Sequence, residues 1–521
     1  MGSGIVGSST FCRIVRCRIV SVLAAWLVIN TAAGGVVAAP RLAGIFVDHM
    51  VVQRDQPLPV WGWAEPGEMV RVAFAGRVVT AVAAGDGSWM AMLPAMPAAS
   101  EGRDLQVATA TGGNATVRDV LVGDVWHASG QSNMAMTVAE TVAGLPAAGP
   151  LVAAADLPLI RFCRIREGES REPLEDLRTP AEWRVCSPET ARGFSAAAFF
   201  FAMEVHRKGG VPLGVIDTSR GGTPIEPYIP QEAFTGHPTL ERELELGDRE
   251  DLDAIWRMPG GVRARDANWL PGRLFHSRLS PLRHFPVCGC VWYQGESNCG
   301  VQEDPRDYAV KMRALVRGWR AALGHETLPF FYVQLPGSGA GPGWPYLREQ
   351  QRLASDLPHV GMVVTVDLEG EGIHPPNKVD VGRRLAAWAL AEVSQQEVPT
   401  SGPMFLRQTV RDGELVLQFA DAESGLMVAR KQGLAAPEEM PNTPLTGFEV
   451  ADAEGEWHPA TAVIDGSSVR VFSDAVPQPV AARYAYAVTP ESCSLYNRDG
   501  LPASPFCSQP AMLAYDPQLP E

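Results

Sequence analysis

Ser132 is the residue best placed in this chain to act as a nucleophile. It sits in Gly130-Gln131-Ser132-Asn133-Met134, just past the apolar positions Leu121, Val122, Val125 and Trp126. A short strand ending at Gly130 would present the hydroxyl on a tight turn with backbone N–H groups beside it. The same residue types also make ordinary surface turns, so three later stretches decide between the readings. Gly221-Gly222-Thr223, Gln294-Gly295-Glu296-Ser297-Asn298 and the loop around His374 are the other polar, glycine-bearing segments of this kind. Acyl transfer from an ester needs a nucleophile, a base and donors for the developing oxyanion. His374 is the candidate base because imidazole titrates near neutral pH. The candidate oxyanion donors are the Ser132 backbone N–H, a Gly221 or Gly222 N–H, and the Gln294 side-chain amide; glycine lets the chain approach a substrate closely.

These residues must be held by regular elements, and the hydrophobic pattern supplies them. The spacing predicts strands over 120–128, 211–218, 287–293, 330–335 and 360–368, and helices over 195–208, 307–323 and 377–393. Strands alternating with helices over this length imply a mostly parallel α/β sheet. Ser132, the Gly221-Gly222 loop, Gln294 and the His374 loop each follow the C-terminal end of a predicted strand. In an open α/β sheet those ends share one edge, where ligands bind. Four such loops at one edge predict a site.

The rest of the chain frames that sheet. Residues 1–39 contain Arg13, Arg16 and Arg18, then an apolar run over 19–29 and small residues, and read as a signal peptide; an uncleaved N-terminal anchor is the alternative. Export to the periplasm or the extracellular space follows. Residues 40–119 alternate in short runs with turns at Pro66-Gly67, Ala75-Gly76 and Gly85-Asp86-Gly87, the pattern of a small antiparallel sandwich. Its Trp61 and Trp63 read as core, although a sugar face could stack on them. Residues 120–400 carry the α/β pattern, and 401–521 return to short β-rich runs. With 521 residues and a formal charge of −15, which loss of the leader would take to −18, the surface repels nucleic acid and anionic membranes. No segment after the leader is long and apolar enough to span a bilayer. Of nine cysteines, seven lie beyond the leader. Cys163 with Cys186 and Cys493 with Cys507 are possible bridges on spacing alone, Cys288 and Cys290 should share one strand face, no group has metal-site spacing, and ordinary buried thiols are expected.

Four motifs in this order resemble the SGNH-hydrolase superfamily, specifically the sialate O-acetylesterase family of carbohydrate esterases. They are GQSNM at 130–134, GGTPIE at 221–226, WYQGESN at 292–298 and IHPPNK at 373–378. The resemblance implies a flavodoxin-like three-layer α/β/α domain flanked by N- and C-terminal β-rich modules. It also implies cofactor-free and metal-free removal of O-acetyl groups from carbohydrate, with Ser132 as nucleophile and His374 as base. Gly221 or Gly222 with Gln294 would form the oxyanion hole. Asn133, Thr223, Glu296, Asn298 and Arg220 are the expected substrate-facing residues, Glu296 either binding sugar hydroxyls or orienting the network. Family members commonly carry Asp just before the Ile-His pair, where this chain has Gly372. Glu371, three residues before His374, fits the superfamily's acid-x-x-His spacing and is the expected third member; the alternative is a Ser–His dyad. Arg220 stands where relatives often place tryptophan, at the substrate rim. The missing Asp and the two flanking modules also leave open a non-catalytic carbohydrate-binding or scaffold protein.

Overall fold

One strand of 17 residues, β1 (Asn114–Gly130), runs through the middle of the molecule and ends at the serine turn. The computed structural model describes residues 1, 39–261, 266–300, 303–337, 339–368, 370, 372–490 and 493–515, so the leader and Glu371 lie outside the described residues. The first half of β1 pairs with the antiparallel strand Ala99–Thr109, which pairs in turn with Met69–Phe74 and through it with Arg77–Val82. Its second half is the centre of a parallel sheet. Along that sheet run β2 (Leu157–Arg164), β3 (Trp183–Cys186), β4 (Leu213–Asp217), β5 (Gly289–Tyr293), β6 (Phe330–Val333) and β7 (Val360–Val363). The lateral order is β3-β2-β4-β1-β5-β6-β7, all parallel except the β2/β3 pair.

Period-2 alternation explains why both faces are covered. On β5 and β6, Cys290, Trp292, Phe330 and Tyr332 join one apolar core, and Val291, Tyr293, Phe331 and Val333 join the other. The first core is closed by α1 (Tyr308–Ala322) and α2 (Gly343–Leu353), through Trp319, Trp344 and Leu347. The second is closed by two helices from distant parts of the chain, Ala196–Gly209 and Lys378–Glu392. Both are capped as their sequences require. Ser195 accepts from the Ala198 N–H and Asn377 from the Asp380 N–H.

The β-rich flanks are present. Gly67, Gly76 and Gly87, the expected turn glycines, all have positive φ. Trp61 is buried edge-on against Phe46, whereas Trp63 lies under the Arg41 guanidinium. Residues 404–507 form three small antiparallel sheets around a core of their own. No helix among the described residues is long and apolar enough to cross a membrane.

The thiols are as expected, but the possible bridges and the shared strand face need correction. All seven described cysteines are free thiols. Register separates the first candidate pair, since Cys163 lies opposite Trp183 and Cys186 opposite Leu157. Cys507 lies opposite Arg483, and its thiol bonds the Gln509 carbonyl at 3.3 Å. Cys288 and Cys290 do not share a face: Cys288 packs in one core and Cys290 in the other. Pairing in β5 begins only at Gly289, so Cys288 escapes the alternation.

Candidate active site

The serine turn is made by glycine. Gly130 has φ 135°, and a Cβ there would lie 2.1 Å from the Tyr293 carbonyl oxygen. No other residue lets β1 end so close to β5. The chain then turns through Gln131, whose N–H donates to that same carbonyl at 2.9 Å, into the short helix Ser132–Ala135. Beyond β4 the neighbouring loop follows the same edge, with the Arg220 N–H donating to the Gly130 carbonyl at 2.9 Å. This brings Gly221 against Ser132, where its missing Cβ would stand 3.7 Å from the serine Cβ. The N–H groups of Ser132 and Gly221 have no partner among the described residues. Gly222 follows at the half-buried edge of this turn.

His374 arrives from the loop after β7, and its Nε2 lies 2.7 Å from the Ser132 Oγ. Two residues 242 positions apart thus meet in a hydrogen bond. Partial burial, reinforced by the nearby Lys378 ammonium, pulls the imidazole below its ordinary range, and Glu140 opposes this. A neutral His374 at neutral pH is able to accept a proton. Gly372 has φ 71°, a left-handed conformation that suits glycine. Asp367 is engaged elsewhere, bound through both oxygens to Arg384 at 2.7 Å and to the Tyr496 hydroxyl at 3.1 Å.

Several expected ligand-facing residues are instead interior struts. Gln294 is fully buried. Its Nε2 donates to Gln131 Oε1 at 3.0 Å, Asn298 Oδ1 at 2.7 Å and the Thr223 carbonyl at 3.3 Å, and its Oε1 accepts from the Tyr308 hydroxyl at 2.8 Å. With its hydrogens committed inward, the amide braces the turn rather than offering a donor to a ligand. Asn298 is likewise consumed, accepting from the Ile225 N–H at 3.0 Å and donating to Glu226 at 2.9 Å. Thr223 donates to the Arg220 carbonyl at 2.7 Å and closes its own turn. Gln131, which the sequence did not single out, gathers these struts: its Oε1 also accepts from the Ser297 N–H at 3.1 Å. Arg220 stays half-buried at the rim beside the exposed Gly221.

Beneath the pair lies a second set of buried groups. Asn133 donates to Glu296 Oε1 and, at 2.8 Å, to the Ile373 carbonyl, while its Oδ1 accepts from Lys378 Nζ at 2.5 Å. Lys378 also donates to the Pro375 carbonyl at 2.7 Å. Glu296 is thus turned inward, and its Oε2 has no hydrogen-bond partner among the described residues. Burial raises the Glu296 carboxyl above its usual range and pulls Lys378 down to about 7. Lys378 is the residue sequence reasoning missed, though a signal existed. A lysine at the first position of a helix opposes the helix dipole and needs a reason to be there. Among the described residues no group of three or more His, Cys, Asp or Glu is placed to hold a metal ion.

Comparison with known proteins bears on the family. Residues 264–391 match the family model described as carbohydrate esterase, sialic acid-specific acetylesterase. The chain is 27% identical to the sialate O-acetylesterase of Rattus norvegicus over 90% of its own length and 94% of the rat protein. It is also 27% identical to that of Homo sapiens, covering 89% and 92% of the two chains. Among solved structures, a carbohydrate acetylesterase from Xanthomonas citri superposes with a TM-score of 0.77 at 37% identity, over 90% of this chain and 99% of that one.

Proposed function

Because this chain belongs to the sialate O-acetylesterase family of carbohydrate esterases and is a carboxylic ester hydrolase, we propose that Ser132 and His374 carry its reaction, the removal of O-acetyl groups from carbohydrate. The observation that supports this is the 2.7 Å approach of His374 Nε2 to the Ser132 oxygen. The Ser132 oxygen attacks the acetyl carbonyl as His374 takes the hydroxyl proton. The tetrahedral oxyanion is received by the N–H groups of Ser132 and Gly221, with Gly222 beside them. His374 returns the proton to the departing sugar oxygen, leaving an acetyl-serine. A water molecule, deprotonated by the same imidazole, then attacks the acetyl carbonyl, and the acyl–oxygen bond to Ser132 breaks as the imidazole returns the proton to the serine, releasing acetate. Glu371 is proposed to orient the imidazole, and Arg220 to meet substrate at the rim.

The parallel order β4-β1-β5-β6-β7 supports a flavodoxin-like SGNH core. In sequence terms it reads 2-1-3-4-5, with the site at its switch point. On this reading residues 120–400 form the catalytic domain, and 40–119 and 401–521 are modules that frame it. The leader composition supports export. Since the rat and human relatives are named for sialate esters, acetylated sialic acid is the first substrate to test, followed by a panel of acetylated polysaccharides. Ser132→Ala is expected to abolish acetate release from an aryl acetate and from the preferred glycan while circular dichroism stays unchanged. Turnover at the parent rate in that variant overturns the proposal.

A further inference from the structure

We propose that Lys378 is the positioning residue for the base: together with Asn133 it clamps the backbone on both sides of His374 and ties that loop to the buried Glu296. This rests on the reading of Ser132 and His374 as the reacting pair. The carbonyls flanking His374 in sequence are those of Ile373 and Pro375. The first accepts from Asn133 Nδ2 at 2.8 Å and the second from Lys378 Nζ at 2.7 Å. The two clamps are joined to each other, because Lys378 Nζ also donates to Asn133 Oδ1 at 2.5 Å. Asn133 is the residue after Ser132, so the nucleophile's turn and the base's loop share one interior joint. Glu296, from the loop after β5, completes the joint through the other side of the Asn133 amide.

The chemistry of this joint is unusual for a structural brace. Lys378 is fully buried at the first position of its helix, where the dipole disfavours a cation. A buried ammonium persists only when paired or hydrogen-bonded. Its compensation comes from the two oxygens it bonds, the Tyr293 ring 5.2 Å away and the Glu296 charge. The ammonium in turn acts on His374, lowering its proton affinity against the opposing pull of Glu140. Of the described residues, Lys378 and Glu140 are the charged groups that act on His374, and Glu296 is the one that acts on Lys378. The fixed loop and the local cation serve one end: an imidazole held at the serine and kept free of its proton.

The test is the pH dependence of kcat/KM for an aryl acetate, run on the full chain. Lys378→Met keeps the side-chain volume and removes the charge and the clamp. The acid limb, set by protonation of the base, is expected to move to higher pH, because His374 loses a neighbouring cation. The plateau is expected to fall by up to about 100-fold as the loop loosens. Glu296→Gln keeps the acceptor for Asn133 and removes the charge that sustains the ammonium; it should move the acid limb in the same direction with a smaller loss of plateau. In the double variant the shifts should not add, since both act through the same cation. Thermal melts establish that the variants are folded, and if Lys378→Met does not fold, Glu296→Gln carries the test alone. An acid limb unmoved in a folded variant overturns the proposal, whatever happens to the plateau. Labelling of Ser132 by a fluorophosphonate, followed by intact mass, separates the two readings. If serine 132 is never labelled and Ser132→Ala stays active, the reading of the pair has failed. If labelling depends on Ser132 but its pH profile ignores Lys378, only the positioning role has failed.

Discussion

Replacing Gln294 by leucine separates a brace from an oxyanion donor. The substitution keeps most of the volume and deletes four hydrogen bonds, to Gln131, Asn298, the Thr223 carbonyl and the Tyr308 hydroxyl. All four lie in the interior, where a typical hydrogen bond contributes about 1 kcal/mol net and an orphaned partner costs about 1–3 kcal/mol. The partners are not wholly abandoned. Gln131 Oε1 keeps the Ser297 N–H, Asn298 Oδ1 keeps the Ile225 N–H, and the tyrosine hydroxyl keeps the carbonyl of residue 294 at 3.3 Å. The loss therefore falls at the lower end, about 2–4 kcal/mol of unfolding free energy. Urea unfolding at neutral pH measures it, and steady-state kinetics on an aryl acetate measures the accompanying change in turnover. A brace predicts a large stability loss with KM and kcat both disturbed, because the serine turn and the rim loop rest on the same struts. The opposite pattern, unchanged stability with kcat alone lowered by about 10²–10³-fold, is the signature of a lost transition-state donor. That outcome would refute the assignment of Gln294 to the interior.

Other consequences are equally open to measurement. Glu371→Gln is expected to slow turnover by up to about 10⁴-fold if that carboxylate orients His374; single-turnover acetate release at the parent rate would leave a dyad. His127 is fully buried against Trp319, bonds the Thr218 hydroxyl at 2.8 Å, and is pushed down to about 3 by burial. Its folded-state value is depressed, so the stability it permits is present above the ordinary histidine value and drains away as pH falls, when only the unfolded chain takes the proton. Between pH 7 and pH 4, His127→Phe should gain about 3 kcal/mol relative to the parent in urea titrations. An equal loss for both proteins would show that another group governs acid sensitivity.

The elements were legible wherever burial and pairing coincide. The helices expected over 307–323 and 377–393 occur at Tyr308–Ala322 and Lys378–Glu392. The strand expected over 360–368 stops at Val363 although Val364, Val366 and Leu368 remain buried. Apolar composition reports burial, and beyond Val363 the backbone is bonded by side chains instead, Arg384 taking the Val364 carbonyl at 2.6 Å. The candidate site divides along similar lines. Strand ends and glycine turns are local features, so Ser132, Gly221 and His374 could be picked out. Whether a Gln, Asn or Glu faces a ligand or braces the interior depends on partners that other loops bring to it. Asn133, Glu296 and Asn298 have the same residue types in either role, and no local pattern distinguishes them.

The unbroken run of β1 makes the leading β-layer more than an ornament. One ribbon of backbone is stitched to antiparallel neighbours at its start and to parallel ones at its finish, and the serine turn hangs from its far tip. Trimming the chain back to residue 120 would strip away the first third of that ribbon and lay bare its flank along Ala99–Thr109. Slack introduced there is carried along a stiff lever to the Ser132 hydroxyl, so damage far from the cleft should register as lost turnover before it registers as lost fold.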